Sequence, residues 1–334
     1  MDKVTIIGGG SWGTALGSLL IDNQKEVLIY DNDESTISEI NTYHTNSSKL
    51  KGIVLPISLK ATNDLEFAID YSDILILAVP TAVTRIVLKS INSILTSQKV
   101  FCNVSKGLEL VTHKRVSEIV TDEIDSLYIK GFITVSGPSH AEEVILKKIT
   151  SVVAASNDLE YAKYIQEFFS NNSFRVYTSN DLIGVELSGS LKNIFAIASG
   201  IVDGLGFGIN TKAALITRGL LEMKRIAIAL GAQEKTLDGL CGVGDLIATC
   251  TTKLSRNYSA GVLIGSGKGL AESLKEIHMV VEGVKTCKSA YNLSKDMNLK
   301  TPIIDSMYHI LFDNTNPTEE LNSLMSRRLI DENE

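Results

Sequence analysis

Six polar clusters in this chain combine residue types and spacings that can do chemistry. The first, Gly8-Gly9-Gly10-Ser11-Trp12-Gly13, has the G-x-G-x-x-G form. It follows the apolar run Val4–Ile7 and precedes the apolar stretch Thr14–Leu20. A strand that feeds a helix through such a turn is built to hold a pyrophosphate. Gly8 permits the tight turn, Gly10 lets the backbone approach the ligand, and Gly13 lets helix and strand pack closely. The first helical N–H groups and their partial positive charge then face the phosphates. Asp31 ends the next apolar run about 20 residues further on, where an acid can accept hydrogen bonds from ribose hydroxyls, and Asn32 follows it. The combination points to a dinucleotide. The plainer alternative is a glycine turn of the kind any α/β protein contains.

The other clusters are more open. Val104-Ser105-Lys106-Gly107 and Gly137-Pro138-Ser139-His140-Ala141 each follow an apolar run. Ligands of open α/β sheets bind beyond the carboxyl ends of strands, so Lys106 can reach a ligand there or stand in solvent. His140 can be an acid–base group, but it reads more readily as a structural histidine, because nothing in the pattern assigns it an orienting carboxylate. Ser188-Gly189-Ser190-Leu191-Lys192-Asn193 lies in a helical pattern with Ser188 and Lys192 on one face. Spacing alone leaves Lys192 open between an acid–base group and a lysine that snorkels to water. Gly242-Val243-Gly244-Asp245 enters a short helix, with Thr249 one turn later. Ser255-Arg256-Asn257 precedes another helix, which Ser255 can cap. Arg256 and Asn257 then stand at a positive helix end suited to a phosphate monoester, or Arg256 is simply exposed.

These clusters need elements to position them. Val4–Ile7, Val27–Tyr30, Ile74–Val79, Val100–Val104, Phe132–Ser136 and Ser151–Ala155 read as strands buried on both faces, with Phe174–Tyr177 as a further strand near the edge. Helical segments fall between them, which predicts a parallel α/β sheet of doubly wound, Rossmann type. From Leu182 onward the pattern is helical, with candidate helices Lys212–Leu230, Tyr258–Gly265, Val284–Asp296 and Ile303–Phe312. The expectation is a dinucleotide-binding domain over 1–181 and an all-helical substrate and catalytic domain over 182–334.

Composition bounds the partners. The chain has 334 residues, 44% hydrophobic and 21% charged, which suits two globular domains of about 100–200 residues each. Its net charge of −7 argues against nucleic acid as a partner. Cys102, Cys241, Cys250 and Cys287 form no C-x-x-C pair and read as reduced thiols in a cytoplasmic protein. His44, His113, His278 and His309 show no metal spacing, and no metal is expected. No secretory leader is legible at the first residues, and no membrane span is expected, because no stretch reads as the roughly 20 apolar residues that cross a bilayer.

The segments Gly8–Thr14, Asn103–Glu109, Gly137–Val144, Gly184–Leu221, Gly242–Asn257 and Val280–Thr286, taken in that order, resemble the bacterial NAD(P)-dependent glycerol-3-phosphate dehydrogenases. The resemblance covers essentially the whole chain. It implies that the enzyme interconverts sn-glycerol 3-phosphate and dihydroxyacetone phosphate with NAD(H) or NADP(H) and supplies glycerophospholipid synthesis. It implies Lys192 as proton acceptor and Lys106 as a ligand of cofactor and substrate. Gly137, Ser139, Asp245, Ser255, Arg256 and Asn257 are implied substrate positions, with Asn193 and Thr249 in the same pocket. Ser11, Trp12, Ala141, Val280, Glu282 and Arg256 are implied cofactor contacts. A homodimer is an open expectation.

In this scheme Lys106 and Arg256 stand near Lys192 and disfavour its charge, making it a better base than free lysine with its pKa of about 10.4. One departure stands out. Many bacterial members carry a basic residue where this chain has Tyr30-Asp31-Asn32. Asp31 would repel a 2′-phosphate, and no arginine or lysine lies between Lys25 and Lys49 to compensate, although one from elsewhere in the chain can reach in, so NADH is expected to serve at least as well as NADPH. Two rivals remain. A dehydrogenase of 6-phosphogluconate or 3-hydroxyacid type lacks a reason for Ser255-Arg256-Asn257. A nucleotide-sensing module lacks a reason for Lys106, Lys192, Asp245 and Arg256 together.

Overall fold

The computed structural model describes residues 3–332. Its first part is an eight-stranded sheet with strands β1 (Lys3–Ile7), β2 (Glu26–Tyr30), β3 (Lys60–Thr62), β4 (Ile74–Leu77), β5 (Lys99–Asn103), β6 (Ile129–Ser136), β7 (Thr150–Ala155) and β8 (Phe174–Ser179). They lie in the order β3-β2-β1-β4-β5-β6-β7-β8. The winding reverses between β1 and β4, and a crevice opens there beyond the strand ends. Helices α1 (Ser11–Asp22), α2 (Glu34–Ser38), α3 (Leu65–Asp70), α4 (Thr81–Asn92), α5 (Val116–Glu123), α6 (Ala141–Val144) and α7 (Leu159–Phe169) connect the strands. Val4, Ile6 and Ile29 pack into one core with Leu16 and Phe169, while Ile7, Leu75 and Leu77 pack into another with Leu88 and Ile119. Both faces are therefore buried, as continuous Val/Ile runs require.

Two features differ from the sequence-based expectation. The sheet is not wholly parallel: β6 and β7 pair antiparallel, Thr134 opposite Ala155. Between Ser136 and Thr150 lies only a loop carrying the four-residue α6, which turns the chain back instead of crossing the sheet. Parallel neighbours need a full crossover, and α7 supplies one between β7 and β8, which are parallel. Strand β3 is also an addition, because Lys60-Ala61-Thr62 offers no apolar run to announce it.

The second part is helical: α8 (Leu182–Gly204), α9 (Ile209–Ala229), α10 (Glu234–Leu237), α11 (Asp245–Cys250), α12 (Arg256–Gly265), α13 (Leu270–Ile277), α14 (Glu282–Asp296), α15 (Pro302–Phe312) and α16 (Pro317–Met325). Asp181 starts it. Its carboxylate accepts from Gly184 N and Gln233 N, both at 2.9 Å, capping α8 and tying it to the turn before α10. Helix α8 is the axis of this part, buried along nearly its whole length among α9, α11, α12 and α14. Contrary to the sequence expectation, it is long and apolar enough to cross a membrane; its apolar window is buried inside the protein.

Helices α8 and α12 touch backbone to backbone. A Cβ on Gly200 would lie 2.0 Å from Tyr258 O, and one on Gly261 2.0 Å from Ile197 O. This approach brings polar side chains of the two helices within hydrogen-bonding range at the cleft. At the far side, Glu222 of α9 accepts from Ile303 N and Ile304 N at 2.8 and 3.0 Å. It thereby caps α15, whose own N-cap residue makes no side-chain bond.

Candidate active site

A cleft of about 1060 Å³ lies beyond the carboxyl ends of β1, β2, β4, β5 and β6 and is closed on its other side by α8, α11, α12 and the start of α14. At one end is the glycine turn. Gly8 has φ +116°, and a Cβ there would lie 2.9 Å from Ala78 O, so only glycine fits. A Cβ on Gly13 would lie 2.1 Å from Gly8 O, which is why α1 can start directly against β1. Gly10 faces open space. Helix α1 begins without a side-chain cap, leaving its first N–H groups for a ligand.

Asp31 holds this turn from below. Its Oδ2 accepts from Gly9 N at 2.6 Å and its Oδ1 from Asp33 N at 2.9 Å. Asn46, fully buried, donates to Gly9 O at 2.8 Å and to Thr14 Oγ1 at 2.9 Å. The turn is thus held by hydrogen bonds from two sides.

The other end of the cleft is floored by a bridge of three charges. Lys106, just past β5, donates to Gly137 O at 2.9 Å and to Asp245 Oδ2 at 2.7 Å. Lys192 of α8 donates to Asp245 Oδ1 at 2.7 Å and to Thr249 Oγ1. The Thr249 hydroxyl in turn donates to Asp245 O at 2.6 Å. Lys192 is 4% exposed and Asp245 2%. Burial pushes the Lys192 ammonium down to about 8; Asp245 opposes the shift and Lys106 reinforces it. Burial alone would raise Asp245, but Lys106 and Lys192 hold its carboxyl below the usual range. The site therefore contains a buried lysine whose pKa is drawn down to about 8 and a carboxylate whose charged form the two lysines favour.

The expected source of the Lys192 shift needs correction. Burial is its main cause and Lys106 contributes, while Arg256 is not among the main causes. Arg256 instead points toward the glycine turn and donates to Ser11 Oγ at 3.0 Å. Ser255 caps α12 through Tyr258 N at 3.2 Å. Asn257 donates to Asn193 Oδ1 at 3.0 Å and accepts from Gly283 N at 2.9 Å, linking α12 to α8 and α14. Glu282 reaches back to the sheet and accepts from Thr81 N at 3.2 Å; burial raises its pKa.

The cleft gathers Gly8, Gly10, Ser11, Trp12, Asp31, Asn32, Lys106, Ser139, Ala141, Lys192, Asn193, Thr249, Ser255, Arg256, Asn257, Val280 and Glu282 on its wall. Three expected residues stand behind it. Gly13 packs on Gly8, Gly137 offers its carbonyl to Lys106, and Asp245 lies under the two lysines. His140 lines the cleft with Nε2 3.2 Å from Ala248 O, a carbonyl that can only accept, so that nitrogen is the donor; burial lowers the His140 pKa. Sequence reasoning missed Lys49, Thr36, Val83, Ile86, Val87, Leu274, His278 and Met279, all of which line the cleft. Of these, Val83, Ile86 and Val87 had a legible signal, an apolar face at helical spacing on the helix after β4.

All four cysteines are free and buried, and burial raises the pKa of each, so none is a poised nucleophile. Among the described residues, no group of three His, Cys, Asp or Glu is placed to hold a metal.

Residues 3–162 match the model of the NAD-dependent glycerol-3-phosphate dehydrogenase N-terminus, and residues 181–322 that of the C-terminus. The chain is 49% identical over 98% of its length to a Staphylococcus epidermidis protein named glycerol-3-phosphate dehydrogenase (NAD(P)+), of which it covers 98%. The chain belongs to the NAD-dependent glycerol-3-phosphate dehydrogenase family. A Macrococcus caseolyticus protein of the same name is 46% identical, with 99% of this chain and all of that one aligned. The crystal structure of the Coxiella burnetii glycerol-3-phosphate dehydrogenase superposes with a TM-score of 0.93 at 33% identity, covering 98% of this chain and 99% of that one.

Proposed function

We propose that this chain is an NAD(P)-dependent glycerol-3-phosphate dehydrogenase that interconverts sn-glycerol 3-phosphate and dihydroxyacetone phosphate. The observation that carries the reading is the Lys106–Asp245–Lys192 bridge, buried in the same cleft as an uncapped glycine turn. The residues fit a dinucleotide: Gly10 leaves the approach open, and the first N–H groups of α1 face it. When bound, the nicotinamide accepts or returns the hydride at C2.

The chain's own residues do the rest. Neutral Lys192 accepts the proton of the C2 hydroxyl at Nζ during oxidation and returns it during reduction. Asp245 keeps Lys192 and Lys106 in register and takes no proton itself. Lys106, Arg256 and Asn257 supply donors for the phosphate and the substrate oxygens. Gly137 and Ser139 shape the substrate end, and Trp12, Ala141, Val280 and Glu282 the cofactor end.

The chain divides between β8 and α8 near residue 181, with 1–181 as the nucleotide domain and 182–334 as the substrate domain. It works in the cytoplasm, as a homodimer, supplying glycerol 3-phosphate for glycerophospholipid synthesis. The deciding experiment is turnover of dihydroxyacetone phosphate followed by loss of NADH or NADPH absorbance in parallel. Turnover of a 2-keto acid without turnover of this phosphate would overturn the assignment.

A further inference from the structure

The cation that was missing beside Asp31 is present in the fold. Lys49 lies outside every recognised motif, in the irregular segment between α2 and β3, yet it lines the cleft together with Gly9, Asp31, Asn32 and Asp33. Its position is fixed from both sides. Asn46 is anchored on Gly9 O and Thr14 Oγ1, Lys49 N bonds to Asn46 O at 3.0 Å, and Leu50 is buried beside it. The Lys49 side chain makes no hydrogen bond or ion pair with any described residue. Hydrogen bonds from Thr36 and Ser35 hold the Asp33 carboxyl low, and Lys49 stands close enough to add to that effect. Asp31 has both oxygens engaged by backbone N–H groups, Gly9 and Asp33, so its first duty is to hold the turn. A half-buried lysine whose side chain makes no hydrogen bond, next to the end of β2, is suited to a phosphate monoester.

We propose that Lys49 is the specificity-determining residue that receives the 2′-phosphate of NADP(H), so that the chain uses both nicotinamide cofactors despite Asp31. The proposal rests on the dinucleotide reading of the cleft and adds to it the residue that sets the cofactor ratio. It replaces the basic residue that many family members carry after β2 with one delivered from a different segment.

Trp12, the single tryptophan, lines the cleft and reports binding without turnover. Quenching of its fluorescence is titrated with NADPH and with NADH on the parent, Lys49→Gln and Lys49→Arg. Loss of one charge-assisted contact is expected to weaken NADPH roughly tenfold or more in Lys49→Gln. NADH should stay within about twofold, and Lys49→Arg should retain NADPH, since the charge is kept. Parent affinity for NADPH should also fall more steeply with salt than affinity for NADH. Equal weakening of both nucleotides, or of neither, overturns the proposal. So does a parent that binds NADH but not NADPH. A parent that binds neither nucleotide overturns the cleft reading as well, which separates the two failures.

Discussion

The two halves of the cleft are built by different means. On the sheet side the working parts are backbone: the uncapped start of α1, the Gly8 turn, and the carbonyl and N–H groups that Asn46 and Asp31 clamp. On the helical side they are side chains: Lys192, Asp245, Thr249, Asn193 and Asn257, all nearly buried and each bonded to another. The contrast follows from chemistry. A pyrophosphate is read by N–H groups and a helix terminus, which any sequence supplies once glycine clears the space. A proton acceptor must be one side chain with a tuned pKa, and tuning requires burial and charged neighbours. In the function proposed here the sheet half sets where the cofactor would lie, and the helical half what happens to the proton.

The sharpest way to break this comparison is to separate proton transfer from nucleotide binding. Lys192→Ala should lose about 10²–10⁴-fold in turnover, the usual contribution of a general acid–base group. Its affinity for NADH by Trp12 quenching should stay near that of the parent, because Trp12 and the glycine turn belong to the other half. Turnover within a few-fold of the parent would remove Lys192 from the mechanism.

Asp245 tests whether the helical half works as a unit. Asp245→Asn leaves Lys106 and Lys192 facing each other with no carboxylate between them. Breaking a buried charge pair by removing one partner costs about 3–5 kcal/mol, so denaturant unfolding should show a loss of that order. An Asp245→Asn variant as stable as the parent would mean that the two lysines do not depend on the bridge.

Gly13→Ala is the matching change on the sheet side. The added methyl group would sit 2.1 Å from Gly8 O, so α1 must shift away from β1. Overpacking of this kind costs about 1–3 kcal/mol. Nucleotide binding should weaken for NADH and NADPH alike, since the turn moves as a whole. Unchanged binding would show that the helix start is not what holds the pyrophosphate.

The same contrast explains what could be read before the fold was known. The glycine turn was legible because each glycine answers a steric demand that recurs wherever a strand meets such a helix. The strands were legible as Val/Ile runs, except β3, which has none, and the reversal of β7, which depends on loop length instead of strand composition. Lys192 was not legible from spacing: Lys212 also stands on a helix, yet it pairs with Asp203 near the surface. What separates them is the burial of α8 and the presence of Asp245, 53 positions away, and only packing brings these together. The family resemblance pointed to Lys192; the fold supplies its physical reason. Lys49 escaped both, because it sits in an irregular segment whose position is set by Asn46.

The smallest effect expected is in pH dependence, and it tests the tuning itself. Lys192 has its pKa pushed down to about 8, against about 10.4 for a free lysine. If, as proposed, the neutral amine accepts the C2 hydroxyl proton, kcat/KM for glycerol 3-phosphate oxidation should rise with pH and level off above about 8. Below that point it should fall about tenfold per unit, as the charged fraction grows. Reduction of dihydroxyacetone phosphate needs the protonated form, so its limb should run the other way and decline above the same pH. Burial sets most of the shift, while Asp245 raises the Lys192 pKa and Lys106 lowers it. Asp245→Asn, if it keeps measurable turnover, should therefore move the oxidation limb to lower pH, and Lys106→Met should move it higher. Profiles of kcat/KM in both directions across about pH 6–10 read these limbs in the free enzyme. An oxidation limb near 10, or one that neither substitution moves, would show that burial and the Asp245 bridge do not tune Lys192.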